Sequence, residues 1–218
     1  MAIEKMHGSS ALAKIDGLAR HRISKLQGGL TWGYFSPRQW STSDKSAAMA
    51  LTNGNLTVTK SSGETFTGAR AALGVSSGKW YWELTVVTAA TNHYALVGVG
   101  STAQTLTDHI GNSTSGWAYY QANGNKVTAD AESAYGDSWK TGDVIGVALD
   151  MNAGKIWFRK NSTWMASGDP AAGTNPAFTG LSGTLYPMAS FFTVGNSITA
   201  NFGGSAFSAS APSGFSAF

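Results

Sequence analysis

The sequence predicts an all-β protein: an antiparallel two-sheet β-sandwich with an N-terminal extended arm. Three observations carry this reading. Short β-branched and aromatic runs recur along the chain, and turn pairs such as Asn53-Gly54 and Asn123-Gly124 separate them without a helical period between. The segment from Lys79 to Val86 sets Trp80, Trp82, Leu84 and Val86 on one strand face and Tyr81, Glu83 and Thr85 on the other. Of the 218 residues, 42% are hydrophobic, only 12% are charged and 27 are glycine, a balance that suits a turn-rich protein packed into an assembly.

The elements follow in order. Residues 56–60 alternate. Residues 95–100 and 144–149 are compact apolar runs of the kind buried on both faces. Residues 155–160 alternate apolar and basic side chains, and residues 188–192 and 197–202 close the set. The expected core includes Trp80, Trp82, Leu84, Val86, Trp117, Val147, Leu149 and Trp157. Trp139 and Trp164 lie near turns and could be exposed. Trp32, Tyr34, Phe35 and Trp40 form an aromatic cluster that either seals an edge of the sandwich or contacts another subunit.

The first 36 residues read differently, so the chain divides into a docking arm, 1–36, and a sandwich domain, 37–218. Ala13-Lys14-Ile15-Asp16-Gly17 returns as Ser24-Lys25-Leu26-Gln27-Gly28. Two copies are too few for a solenoid. Leu12, Ile15, Ala19, Ile23 and Leu26 fit a helical stripe, yet Asp16-Gly17 is a turn signal, and short strands with turns are the slightly favoured alternative. Residues 1–45 hold seven Lys and Arg against three acids, and the remainder holds eight against nine, so the net charge of +3 originates in this region. Ile15, Ile23 and Leu26 would dock the arm on a partner, with Arg20, Arg22 and Lys25 steering it to an acidic surface. The charge is too small for useful phosphate binding, so nucleic acid is not an expected partner.

Chemistry is sparse. There is no cysteine, which excludes disulfides and thiolate metal sites, and the four histidines lack zinc spacing. No cofactor, metal or catalytic residue is expected. Gly98-Val99-Gly100-Ser101-Thr102-Ala103 fits a dinucleotide fingerprint, but a loop follows where a helix is required, so the glycines serve close strand packing. Asp130 and Glu132 would share a strand face like a glycosidase pair, but solvated turn residues are the simpler reading. Asp108-His109 is set aside as a base and its orienter because neighbours on a strand face opposite sides. No stretch has a signal peptide's apolar core or a membrane span's length.

In order and spacing, residues 37–216 resemble the SPRY family. The resemblance rests on Trp40, on Thr67-Gly68-Ala69-Arg70-Ala71-Ala72-Leu73-Gly74, and on Gly78-Lys79-Trp80-Tyr81-Trp82-Glu83-Leu84. It continues through Val97-Gly98-Val99-Gly100, Gly116-Trp117, Gly142 to Asp150, Gly154 to Trp164, Leu185-Tyr186-Pro187 and Ala200-Asn201-Phe202-Gly203. The chain departs at Asn161-Ser162, where the family usually has Asn-Gly. The resemblance implies a concanavalin-like sandwich that binds through loops at one end. Matched here, the loops bring Thr67, Arg70, Thr107, Asp108, Phe192, Val194 and Asn196 as candidate ligand residues. The arm's Lys-Ile-Asp-Gly phrase resembles short repeats in tailed-phage structural proteins. The leading expectation is therefore a non-catalytic virion component, capsid decoration or tail adhesion, anchored to other virion proteins by the arm within an oligomeric assembly. The alternative is a free recognition module, cytoplasmic, that binds a host peptide or carbohydrate.

Overall fold

The computed structural model describes residues 38–89 and 94–218. The expected docking arm, with Ile15, Arg20, Arg22, Ile23, Lys25 and Leu26, lies outside the described residues, as do Trp32, Tyr34 and Phe35. Strands dominate, and the helical structure among the described residues is a three-residue 3-10 turn at Met165–Ser167. In chain order the strands are β1 (Trp40–Lys45), β2 (Met49–Thr52), β3 (Thr57–Lys60), β4 (Thr67–Ala71), β5 (Lys79–Thr88), β6 (Ala95–Gly100), β7 (Gly116–Tyr120) and β8 (Lys126–Thr128). They continue as β9 (Ala131–Ser133), β10 (Val144–Asp150), β11 (Lys155–Lys160), β12 (Thr163–Trp164), β13 (Phe178–Thr179), β14 (Tyr186–Phe191), β15 (Ser197–Asn201) and β16 (Ser216–Ala217).

Two sheets form. The first has the order β1-β4-β14-β6-β7-β8-β9. The second has the order β12-β11-β10-β5-β15-β3-β2, with β13 on β11 and β16 on β5. Pairing is antiparallel except that β16 runs parallel to β5, beside Trp80 and Tyr81, where β15 no longer covers that edge. The register of β5 with β10 sets Trp82 opposite Val147 and Leu84 opposite Ile145.

The alternation read from the sequence fixes what lies between the sheets. Trp82, Leu84 and Val86 of β5 meet Val97 and Val99 of β6, Val147 and Leu149 of β10, and Phe158 of β11 in one buried cluster, with Trp80 and Trp117 half-buried against it. Trp157 is also buried, but on the opposite face of its strand, with Tyr81 and Ala148. Trp139, whose exposure the sequence leaves open, is 2% exposed and belongs to the main core. A turn flanks it in sequence, but Tyr119 lies against its ring, with centroids 6.5 Å apart.

The outer faces are not simply solvated. On the second sheet Tyr81 and Glu83 are buried, because the C-terminal segment crosses them with Phe207, Ala211 and Phe215. The Glu83 carboxylate accepts from Tyr81 Oη, from Arg159 and from the Ser208 and Ala209 amides. On the first sheet the connection from β6 to β7 folds back over the strands and seats Ile110 against Leu96, Ala118, Val127 and Met188. Gly98 and Gly100 lie on that face. A Cβ at Gly98 would run into the Trp117 carbonyl oxygen, and one at Gly100 would meet Met188 Sδ at 2.6 Å. Gly98 thus serves close strand approach, and Gly100 makes room for the Met188 and Gln104 side chains.

Candidate functional site

The starts of β4 and β6 and the ends of β7 and β14 lie at one end of the first sheet, as the register of these strands requires. The residues just outside those strands therefore converge. Phe66 precedes β4, Tyr94 precedes β6, and Phe192 follows β14. Their rings pack edge to face, with centroids 5.3 Å apart for Phe66 and Phe192, 5.5 Å for Tyr94 and Phe192 and 6.4 Å for Phe66 and Tyr94. His109, from the connection folded over the sheet, lies 5.3 Å from Phe66. Edge-to-face rings stabilise one another beyond their area burial, yet Tyr94 remains 41% exposed and Val194 44%. Exposed apolar groups beside a ring cluster make this end the candidate contact surface.

A buried frame holds the 101–115 connection. Arg70 is 3% exposed and Gln104 1%. The Arg70 guanidinium donates to the carbonyls of Ser101, Thr102 and Gln104 and grips both oxygens of Asp44 at 2.7 and 2.8 Å. The Gln104 amide donates to the His109 carbonyl and to Asn112 Oδ1, and its oxygen accepts from Gly111 N–H. Lys60, 1% exposed, reaches under the neighbouring loop and donates to Thr65 O and Thr67 Oγ1. Burial lowers its pKa, against the attraction of Glu64.

The candidate ligand residues therefore divide. Thr67, Arg70 and Asn196 are buried within the fold, Thr107 and Val194 are exposed, and Asp108 and Phe192 are partly exposed. Each loop does reach the surface in question, but largely through neighbours of those residues. Phe66, Tyr94 and Tyr120 have no place in the sequence reading, and His109 and Glu132 enter it only as catalytic candidates. The available signal is the ring directly beside a matched loop, Phe66 before Thr67 and His109 after Asp108.

Asp108 and His109 do pair, which corrects the strand-based argument: Nδ1 stands 3.0 Å from Asp108 Oδ1, because the segment is a loop, where neighbours need not diverge. Nε2 faces Asp130 Oδ1 at 3.4 Å, so both ring nitrogens look at carboxylates rather than at a nucleophile. Burial pushes the Asp108 carboxyl up, but bonds from the His109 amide and ring and from Asn112 outweigh it and hold the pKa low. Asp130 does not share a strand with Glu132. It sits in the β8–β9 turn at φ 60°, after Ala129 at φ 54°, a left-handed pair that closes the hairpin.

Between these groups lies a cavity of about 70 Å³ lined by Phe66, Leu96, His109, Tyr120, Val127 and Glu132. Burial, then the nearby charge of Glu132 and the neighbouring Tyr94, push the Tyr120 hydroxyl up to about 12. A wider and more open hollow of about 550 Å³ runs along Ala134–Asp137 and Thr163–Ser167. The matched loops do not meet there, so the aromatic end is the stronger candidate.

The SPRY domain family model matches residues 79–205. Ran-binding protein 9 of Xenopus tropicalis is 28% identical over 178 residues, which is 78% of this chain and 31% of that protein. The Ran-binding proteins 9/10 homolog of Drosophila melanogaster is 31% identical over 179 residues, 77% of this chain and 17% of that protein. The chain thus spans less than a third of the length of these relatives. Among solved structures, the SPRY domain of human HERC1 superposes with a TM-score of 0.62 at 24% identity, covering 74% of this chain and 96% of that one.

Proposed function

From the premise that this chain belongs to the SPRY family, we propose that it is a non-catalytic recognition module that binds a peptide segment of a partner protein at the aromatic end of the first sheet. The observation that carries the reading is the convergence of Phe66, Tyr94, His109 and Phe192 from four separate segments into one partly exposed surface. A buried frame around Arg70 and Gln104 holds the loop that brings His109, so the surface is preformed and little ordering entropy opposes binding. The similarity to Ran-binding proteins 9 and 10 supports a protein ligand. It favours this recognition reading over a virion role, which has behind it the repeat in residues 1–36 and no feature of residues 38–218. Among the described residues no helix is long and apolar enough to cross a membrane.

A random-peptide display selection on the full chain tests the proposal. Selected peptides should lose at least tenfold in affinity on Tyr94→Ala or Phe192→Ala, the usual effect of truncating a central aromatic anchor. Lys155→Ala, at the opposite end of the second sheet, should leave binding unchanged. Binders insensitive to both aromatic substitutions would place recognition elsewhere on the sandwich.

A further inference from the structure

We infer that the cavity behind the aromatic surface takes a basic side chain, so that the recognised peptide presents an arginine or lysine there. The inference rests on the recognition reading above and adds the chemistry of one subsite. The cavity has an apolar floor, Leu96 and Val127, and walls of Phe66, Tyr120 and the His109 ring, with Glu132 on its lining. A cation set against aromatic faces is attracted by their electron density. A carboxylate at the same cavity adds a charge-assisted hydrogen bond. Glu132 is oriented for this: Asn123 and Asn125 donate to its Oε2 at 2.8 and 2.9 Å, and Oε1 carries no hydrogen bond among the described residues.

Charge around the opening favours a cation over an anion or a neutral group. Asp108 and Asp130 flank His109, with side chains 47% and 75% exposed, and Glu64 lies on the loop that carries Phe66. The nearby lysines are turned away. Lys60 is buried on Thr65 O and Thr67 Oγ1, and Lys126 reaches to the Ala177 carbonyl over the Phe178 and Tyr135 rings. Size limits the occupant. A cavity of about 70 Å³ admits the end of a side chain and is well below the roughly 300–1,000 Å³ of ordinary small-molecule sites. A peptide occupant also accounts for Tyr94, Phe192 and Val194 beside it, where the residues flanking the basic one would lie.

The test titrates the full chain, followed by amide chemical shifts, with acetyl-arginine amide, acetyl-lysine amide and uncharged acetyl-norleucine amide. The cationic probes should shift resonances near Phe66, His109 and Glu132 saturably, and the norleucine probe should bind at least tenfold more weakly. Glu132→Gln keeps an acceptor for the two asparagines and should weaken the cationic probes about tenfold, the size expected for a partly exposed charge pair with aromatic support. Peptides from the display selection should carry a basic residue, and its replacement by norleucine should cost a similar factor. Equal binding of norleucine, or cationic binding indifferent to Glu132→Gln, would overturn the subsite and leave the recognition surface standing. Absence of a response to every probe, together with selected peptides that lack a basic residue but still depend on Tyr94, would do the same. Selected peptides independent of Tyr94 and Phe192 would instead remove the recognition surface itself.

Discussion

Glu83 and Arg159 meet at 2.8 Å with each side chain 4% exposed, on a sheet face whose alternation alone would leave it in solvent. Burial works against the charge on Glu83. Bonds from the Ser208 amide, the Tyr81 hydroxyl and the Ala209 amide outweigh it and hold the carboxyl below its ordinary value of 4.5. The guanidinium lies over the Tyr81 and Trp164 rings at 4.8 and 5.3 Å. Removing one partner strands the other charge in a poorly hydrated place. Glu83→Ala or Arg159→Met should therefore each cost about 3–5 kcal/mol, read as a fall in the urea midpoint. The folded pKa is lowered, so the stabilisation is present at neutral pH and is lost as pH falls below about 4.5 towards the folded value. In Glu83→Gln that part of the acid dependence should flatten. An acid profile identical to that of the parent chain would show that Glu83 titrates normally. None of this was legible in the sequence. The alternation correctly put Tyr81 and Glu83 opposite Trp82, but the segment that covers them arrives from the far end of the chain.

At the scale of elements, the strands that build the core are the ones the sequence marks most clearly. The β5, β10 and β11 segments carry large apolar groups at alternate positions or in short unbroken runs, and their partners follow from that pattern. Trp82→Ala in β5 should cost about 3–5 kcal/mol, the usual range for a fully buried aromatic, and a melting temperature equal to that of the parent would contradict its place between the sheets. Within the 101–115 connection, Thr105–Ser115 reads as a loop rich in Thr, Asn, Ser and Gly. Its role as a cover was hidden because one buried arginine and one buried glutamine hold it. Arg70→Ala leaves the Thr102 and Gln104 carbonyls and the Asp44 carboxylate without a donor, while the Ser101 carbonyl keeps the Gln104 amide, and unmet buried groups cost about 1–3 kcal/mol each where water cannot replace the partner. Amide exchange across residues 101–115 should rise well before global unfolding, and peptide affinity should fall with it because His109 is released. Protection of the connection in Arg70→Ala equal to that in the parent chain would mean that Ile110, seated on Leu96 and Met188, holds it unaided. The burial of Trp139 escapes the sequence for a related reason. Turn residues flank it, yet its position against Tyr119 depends on a contact that no local pattern encodes.

For the whole molecule, the segment that carries the family's signature is smaller than the unit that closes the core. The family model spans residues 79–205, but β4 pairs directly with β14, and β3 with β15. Without residues 38–78 both interior strands become open edges, and Trp40, Met49, Val58, Ala69 and Ala71 leave the core. Without residues 206–218, Glu83 loses the Ser208 and Ala209 amides. Phe218, 1% exposed and packed 5.3 Å from Trp82 and 5.4 Å from Phe202, is lost as well. A chain of residues 79–205 should therefore collapse without fixed packing, with a weak near-ultraviolet spectrum and poor amide dispersion. Residues 38–218 should unfold in one cooperative step and should keep the peptide affinity of the full chain, since Phe66, Tyr94, His109, Phe192 and their frame all lie within it. Cooperative unfolding of 79–205 would show that the outer strands decorate a core that stands without them. Lost affinity in a well-folded 38–218 would bring the first 37 residues into recognition, a role that their basic charge would then have to explain against the acidic opening formed by Asp108, Asp130 and Glu132.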